Sequence, residues 1–201
     1  MDDHLNRVMP PPTLRGKDFR LVPLSREHLG ILHEWESDTS SLYLWTTRKD
    51  ILSEGEFNEA LASRLRGYYH VFLMVLDSEN KPVGFIYSYD ANFVDGFVFV
   101  TTFLEPSSRN RGLGAKVGLL FYDYLFAYYP VRKVYCDVFE YNDESLLALK
   151  HAGFEIEGTF KEHRFFRGRY YTLYRLALYR EKFYEKFDSM IRKVASEDSP
   201  S

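Results

Sequence analysis

A short basic string that contains two glycines lies between a predicted strand and a predicted helix. It reads Arg109-Asn110-Arg111-Gly112-Leu113-Gly114-Ala115-Lys116. Glycine has no side chain to block a ligand, so the first amides of the following helix can point at an anion. Three cationic side chains add positive charge there. The string predicts a phosphate cradle, with a solvated surface loop as the alternative, and it fits neither P-loop nor dinucleotide-fingerprint spacing.

Alternating and helical hydrophobic patterns predict the elements that position this string. Seven strands are predicted over residues 19–24, 70–76, 82–89, 96–104, 131–139, 154–163 and 170–178. Five helices are predicted over residues 25–36, 53–65, 112–129, 143–152 and 180–195. The strands between residues 70 and 104 are separated by short turn-forming segments, which predicts an antiparallel meander. The whole pattern indicates an α+β (α/β) fold with one mixed sheet.

Composition excludes several classes of protein. The 201 residues are 45% hydrophobic and 27% charged, with a net charge of -3. This balance argues against a nucleic-acid binder that works by releasing counterions, and no apolar run approaches the roughly 20 residues that cross a bilayer. No signal-peptide pattern and a single cysteine, Cys136, favour a cytoplasmic protein without disulfides. The histidines show no metal-ligand spacing, so no metal site is predicted.

The predicted organisation is one domain with two extensions. Pro10, Pro11 and Pro12 favour an extended arm over residues 1–17, outside the core. Residues 18–183 form the domain, and residues 184–201 complete a charged helix and a tail. A solvated face is the simplest role for that helix, and a homodimer contact is the alternative.

The motifs together resemble the GNAT superfamily of N-acyltransferases, of the RimJ/RimL type. Leu104-Glu105-Pro106 followed by Arg-x-x-Gly-x-Gly at the start of a helix is similar to the family's acetyl-CoA-binding motif. Asn-x-x-Ser after the fifth strand and Gly-Phe after the next helix match at Asn142, Ser145, Gly153 and Phe154. The resemblance covers roughly residues 18 to 183 and implies a sheet of about seven strands, splayed between strands four and five to admit the cofactor.

The resemblance implies that acetyl-CoA lies along the fourth strand and against the glycine string. Its implied binding residues are Phe103, Leu104, Arg109, Asn110, Arg111, Gly112, Leu113, Gly114, Ala115, Lys116, Asn142 and Ser145. A backbone N–H at or beside Leu104 would stabilise the oxyanion that forms when an amine attacks the thioester. Ser145 is the candidate acid for the departing thiolate, whose pKa is about 8.5, and Asn142 holds the cofactor arm.

The chain departs from the family pattern at two catalytic positions. Leu149 stands where many relatives have a tyrosine acid, and Arg164 aligns with a glutamate of some ribosomal-protein acetyltransferases. Glu162 or His163 could act as a base through water, since neighbours on a strand point to opposite faces. Glu162 is therefore the third candidate catalytic residue, and an amine of low pKa needs no base.

The predicted acceptor is a primary amine on a small molecule, such as an amino sugar or a natural-product intermediate, because the slightly acidic balance and the many Tyr and Phe residues suit a compact polar ligand. Its predicted walls are Tyr43, Trp45, Tyr87, Tyr89 and Asp90, with Asp90 or Glu162 beside the incoming ammonium. Half-buried packing is the alternative role for the tyrosines. Protein N-terminal acetylation and a CoA-binding sensor without turnover are the alternative functions, because acceptor choice lies in variable loops.

Overall fold

One eight-stranded sheet organises the molecule. The computed structural model describes residues 13–46, 50–109 and 112–195. The strands are β1 Leu14–Arg15, β2 Phe19–Pro23, β3 Tyr69–Asp77, β4 Pro82–Asn92, β5 Phe97–Leu104, β6 Lys133–Phe139, β7 Glu155–Phe166 and β8 Arg169–Tyr179. Their order is β1-β2-β3-β4-β5-β6-β8-β7, and every neighbouring pair is antiparallel except β5 and β6. The predicted mixed, mostly antiparallel sheet is confirmed, and the strand that the sequence analysis missed is the two-residue β1.

The α-helices of the described residues lie where the hydrophobic period predicts them. They are α1 Leu29–Ser37, α2 Glu54–Gly67, α3 Leu113–Tyr128, α4 Asp143–His151 and α5 Arg180–Val194. At the start of α2, the Ser53 hydroxyl accepts from the Glu56 amide, and the Glu56 carboxylate accepts from the Ser53 amide. This reciprocal cap satisfies two backbone donors that a helix start leaves open. None of the described helices combines the length and the apolarity of a bilayer-spanning segment.

Each face of the sheet carries its own hydrophobic core. On one face, Phe57 of α2 packs with Phe85 and Phe103 of the sheet. On the other face, Phe121 of α3 and Phe183 of α5 pack against the sheet. Alternate strand residues point to opposite faces, so neighbouring residues of one strand serve different cores.

The sheet opens between β5 and β6. Their parallel pairing joins only Phe97 to Lys133, Val98 to Val134 and Phe99 to Tyr135. Beyond Phe99 and Tyr135 the two strands continue without pairing to each other, to Leu104 and Phe139 respectively. β5 and β6 correspond to the fourth and fifth predicted strands, so the predicted separation of these two strands is present.

Both predicted extensions contact the predicted domain. Leu14–Arg15 pairs with β2, and the Leu14 side chain packs against the core. Phe187 of α5, which lies in the predicted C-terminal extension, is buried in that same core. These contacts differ from the expected free arm and solvated helix, because the apolar face of α5 covers α3 and the sheet. The division at residues 17 and 183 and a homodimer contact through this helix stay predictions.

Candidate active site

A cavity of about 510 Å³ opens where β5 and β6 separate. Its walls come from the α1–α2 connection, β4, β5, the start of α3, β6 and α4. The predicted site residues that line it are Trp45, Tyr87, Tyr89, Leu104, Arg109, Gly112, Gly114, Ala115, Asn142 and Ser145. The fold thus brings together residues separated by about a hundred positions in the chain.

The start of α3 forms one end of the cavity. Gly112 precedes the helix with φ +75°, and among the described residues no atom beyond its chain neighbours lies within 4 Å of a Cβ placed on it. Lys116 donates the first bond of the helix to the Gly112 carbonyl (3.2 Å), so the amides of residues 113–115 precede that bond. Left-handed backbone favours glycine, and the open space beside it suits a phosphate group. Asn110 and Arg111 lie outside the described residues.

Three predicted cofactor residues do not line the cavity. Phe103 points into the core that α1 and α2 cover, where its ring centroid lies 5.3 Å from that of Trp35 and 5.6 Å from that of Trp45. Leu113 packs against the core beneath the sheet. The Lys116 ammonium lies 3.1 Å from the Asp18 carboxylate, in an exposed ion pair. Phe103 points away from the cavity because successive side chains of a strand alternate between its faces. Leu113 and Lys116 point away from it because they lie on other sides of the helix.

The backbone of Leu104 faces the gap between β5 and β6. The Glu105 amide donates to the Val83 carbonyl on β4 (2.9 Å), and the next pair in the register is Leu104 with Gly84. Antiparallel pairs alternate between bonded and non-bonded, so the N–H and C=O of Leu104 point away from β4. Arg109 fixes this backbone, because its Nε donates to the Leu104 carbonyl at 2.8 Å. The N–H of Leu104 is therefore available in the gap as an oxyanion donor.

Asn142 performs two structural tasks beside Ser145. Its Oδ1 accepts from the Ser145 amide at 3.3 Å and so caps α4, while its Nδ2 donates to the Leu44 carbonyl at 3.2 Å. Ser145 is half-buried, and its side chain lines the cavity together with Leu149. The cap therefore holds the turn of α4 that presents the Ser145 hydroxyl to the cavity.

A wall loop, residues 42–46, closes the cavity on the side of α1 and α2. Three side chains from the other half of the sheet hold its carbonyl groups. The Tyr141 hydroxyl donates to Tyr43 at 2.8 Å, Asn142 donates to Leu44, and Arg164 Nη2 donates to Thr46 at 3.1 Å. Arg164 is buried and its guanidinium lies over the Phe139 ring at 5.1 Å. The arginine at the position of the family glutamate thus has a structural role in holding this loop.

The structure places the remaining predicted acceptor and base residues outside the cavity. Tyr43 belongs to the wall loop but stacks on Phe166 at 4.7 Å, behind the cavity wall. Asp90 and Glu162 are exposed and have φ values of 46° and 53°. Each lies at an irregularity in strand pairing, between 89 and 92 on β4 and between 160 and 164 on β7. Neither Asp90 nor Glu162 lines the cavity, because these bulges change the alternation of side chains, and a contact of either with the ammonium stays a prediction.

Two carboxylates that the sequence analysis did not select line the cavity, those of Asp137 and Glu144. Asp137 lies on β6, and its two oxygens accept from Nε and Nη2 of Arg175, both at 2.8 Å. One signal in the sequence points to it. Asp137 is the one charged residue in the apolar run 134–139, and a charge there is costly unless it is paired or functional.

Several polar side chains of the cavity are held in their protonated forms. Burial raises the pKa of the Cys136 thiol to about 12, and burial places the pKa of the Tyr122 hydroxyl well above its usual value. Burial also raises the pKa values of Tyr87 and Tyr89. At neutral pH these groups can donate hydrogen bonds but cannot act as bases.

A sheet splayed beside a glycine-bearing helix start, with a backbone donor in the gap, is the arrangement of an acyl-CoA-dependent acyltransferase. The model of the acetyltransferase (GNAT) domain family matches residues 23–173, and the chain belongs to this family. It is an N-acetyltransferase that uses acetyl-CoA. The open space beside Gly112 and the lining by Gly114 and Ala115 fit the cofactor's diphosphate, and the gap beside Leu104 fits its arm.

Individual relatives are distant in sequence. The spermidine N(1)-acetyltransferase of Escherichia coli (strain K12) is 22% identical over 171 residues, which cover 82% of this chain and 87% of that protein. The spermidine N-acetyltransferase of Vibrio cholerae, solved in complex with CoA and spermine, superposes with a TM-score of 0.77 at 20% identity, over 83% of this chain and 98% of that one. A RimL ribosomal L7/L12 alpha-N-protein acetyltransferase in complex with CoA gives 0.75 at 14% identity, over 85% and 99%.

Proposed function

We propose that this enzyme acetylates a primary amine of a small hydroxylated molecule, of which an amino sugar is the model case, and that it works in the cytoplasm. The observation that carries this proposal is the set of side chains that line the cavity on the side of the wall loop and β4, where we place the acceptor. Aromatic side chains, Trp45, Tyr68, Tyr87 and Tyr89, form much of this wall. An aromatic wall with a few polar groups suits a compact polar ligand.

The residues around the gap supply the proposed chemistry. Acetyl-CoA supplies the thioester carbonyl that the neutral amine attacks. The N–H of Leu104 donates to the oxygen on which negative charge develops, and Arg109 keeps this backbone in place. The Ser145 hydroxyl, on a helix turn held by Asn142, then donates its proton to the leaving sulfur and regains a proton from water. The amine loses its proton to water, since Glu162, the proposed base, lies outside the cavity.

Polyamines are a second candidate class, because the E. coli relative is named for spermidine. The charges of the described cavity lining argue against this class. Its two carboxylates are those of Asp137 and Glu144, Asp137 is in a bidentate pair with Arg175, and Arg109 also lines the cavity. A polycation is best recognised by several uncompensated carboxylates. Protein N-termini are the third candidate class, because the fold is similar to that of a RimL protein acetyltransferase.

The deciding experiment follows thiol release from acetyl-CoA with three groups of acceptors: amino sugars, spermidine and putrescine, and peptides with free N-termini. We expect the largest kcat/KM for an amino sugar, since specificity is the ratio of these constants. A reaction without acceptor measures background hydrolysis. A larger kcat/KM for peptides would contradict the proposal and support protein N-terminal acetylation, and a larger value for spermidine would support the polyamine class.

A further inference from the structure

Asp137, which lines the cavity, forms a rigid pair with Arg175, whose side chain is 33% exposed. Asp137 on β6 accepts two hydrogen bonds from Arg175 on β8, each 2.8 Å long. The guanidinium also lies over three aromatic rings, those of Phe99 at 4.6 Å, Phe160 at 5.3 Å and Tyr135 at 5.7 Å. Bidentate pairing and ring stacking both fix the plane of an arginine, so the geometry of the pair is preorganised.

The register of the sheet places this pair at the point where the cleft begins. Phe99 and Tyr135 are the last paired residues of β5 and β6, and Asp137 is two residues farther along β6. A strand advances about 3.3 Å per residue, so the Leu104 amide lies roughly 15 Å along β5 from Phe99, far beyond the level of Asp137. Asp137 is therefore too far from the oxyanion donor to contact the nitrogen under attack. It can reach a different group of the same acceptor.

The chemistry of the pair suits a hydroxyl group better than a second ammonium. The carboxylate has about four lone-pair sites and the guanidinium five N–H groups, and the ion pair occupies two of each. The pair therefore offers both acceptors and donors, which is the complement of a hydroxyl. Because its two charges cancel, the pair gives a second cation of the acceptor little electrostatic gain.

We propose that Asp137 and Arg175 determine acceptor specificity by binding a hydroxyl group of the acceptor, so that the enzyme selects hydroxylated monoamines over polyamines. This inference rests on the proposed small-molecule function and adds the recognition element. Tyr89 lines the same cavity as Asp137 and extends this surface.

Arg175→Met tests the inference, because it keeps an apolar stem against Phe99 and removes the compensating charge. We expect the kcat/KM for glucosamine to fall at least tenfold, mainly through KM, while the kcat/KM for spermidine rises. The ratio of the two constants should change by about 100-fold in favour of spermidine. Asp137→Asn should weaken glucosamine through KM without favouring spermidine. Calorimetric CoA affinity should be unchanged in both variants, and Asp90→Asn, outside the cavity, is the matched control.

The outcomes separate the inference from the proposed function. Wild-type enzyme that acetylates no small amine contradicts the proposed function, while an unchanged ratio in Arg175→Met with normal CoA affinity overturns the inference alone. An equal loss for both acceptors indicates a structural role and also overturns it. If Arg175→Met does not fold, Arg175→Lys decides, because it keeps the charge and loses the planar fork. Lysine should reduce glucosamine turnover without raising that of spermidine, and a gain with spermidine would overturn the inference.

Discussion

Gly112 combines a backbone conformation that favours glycine with empty space at the cavity. Its φ is +75°, and in the part of the chain that the structure describes no atom beyond its chain neighbours lies within 4 Å of a Cβ built on it. Gly168, in the β7–β8 turn, has φ +85° and equally open surroundings, but does not line the cavity. Substitutions at these two glycines therefore distinguish the effect of backbone strain from the effect of blocking a ligand.

Gly112→Val should weaken CoA binding at least tenfold, because the branched side chain occupies the space beside the helix amides. The control Gly168→Val has the same left-handed strain, which costs about 1–2 kcal/mol, and should bind CoA as the wild type does. Calorimetric titration with CoA and a urea unfolding curve measure the two effects. Normal CoA affinity in Gly112→Val would show that the anion cradle is assigned to the wrong residues.

Ser145→Ala should lower kcat more than it changes the KM for acetyl-CoA, since proton donation to sulfur occurs in the transition state. The expected loss is about 100-fold, the low end for general acid catalysis, because a thiolate is a good leaving group. Ser78→Ala, in the exposed β3–β4 turn, controls for loss of a serine hydroxyl. An unchanged kcat in Ser145→Ala would exclude this hydroxyl from the mechanism.

Single residues were predictable from the sequence where a motif fixes the local backbone. The two glycines of the string, Asn142 and Ser145 lie at helix starts and line the cavity, as the motif spacing and the family resemblance together predict. Asp90 and Glu162 were not predictable, because bulges displace them from the alternation that the sequence suggests. Asp137 was missed because only the tertiary separation of β5 and β6 exposes its side chain to a cavity.

At the level of elements, the wall loop and the start of α4 share one side chain. Asn142 caps α4 through its oxygen and holds the wall loop through its nitrogen. Tyr141 and Arg164 hold the adjacent carbonyls of the same loop. The position of the acid candidate and the position of the acceptor wall are therefore linked through a single amide group.

Asn142→Asp and Asn142→Ala should separate these two contacts. Aspartate caps helices about as well as asparagine, so Asn142→Asp should keep its stability while it loses the donor to Leu44. We expect a several-fold rise in the acceptor KM for this variant. Alanine loses the cap too, and should also cost about 1 kcal/mol in urea unfolding. Equal acceptor KM values in wild type and Asn142→Asp would show that the Leu44 contact does not shape the wall.

The elements themselves were largely predictable because each carries its own local signal. Period-two alternation and turn residues marked the long strands, and the helices begin at recognisable caps such as Ser53. β1 was not predictable, because two residues are too short for any period. The burial of α5 was also missed, since its many charges conceal the two phenylalanines that enter the core.

At the level of the whole molecule, one carboxylate joins the three strands on the far side of the cleft. Glu157 of β7 accepts from Lys133 of β6 at 2.8 and 2.9 Å, and from the hydroxyls of Tyr135 and Tyr179. Burial opposes the charged carboxylate, but these donors outweigh burial and lower the pKa of Glu157 to about 2. The half-sheet formed by β6, β8 and β7 is thus stabilised by an ionised group.

This lowered pKa predicts a pH dependence of stability. The contribution of Glu157 is fully present above its ordinary pKa of about 4.5 and is lost as the pH falls toward 2. Glu157→Gln should therefore cost about 1–3 kcal/mol at pH 7, and less as the pH falls. Urea unfolding between pH 7 and pH 3 measures the difference. Glu155→Gln, which breaks an exposed pair with Lys182, should cost less than about 1 kcal/mol at every pH.

The three-residue pairing of β5 and β6 makes the sheet two half-sheets that a ligand can join. Beyond Phe99 and Tyr135, backbone groups of the two strands that face the gap lack the ladder bonds that slow exchange of amide protons with water. A cofactor arm that bonds to β5 supplies the missing ladder. Deuterium uptake along the gap between β5 and β6 should therefore fall when the cofactor binds, and it reports directly how much of the enzyme is occupied.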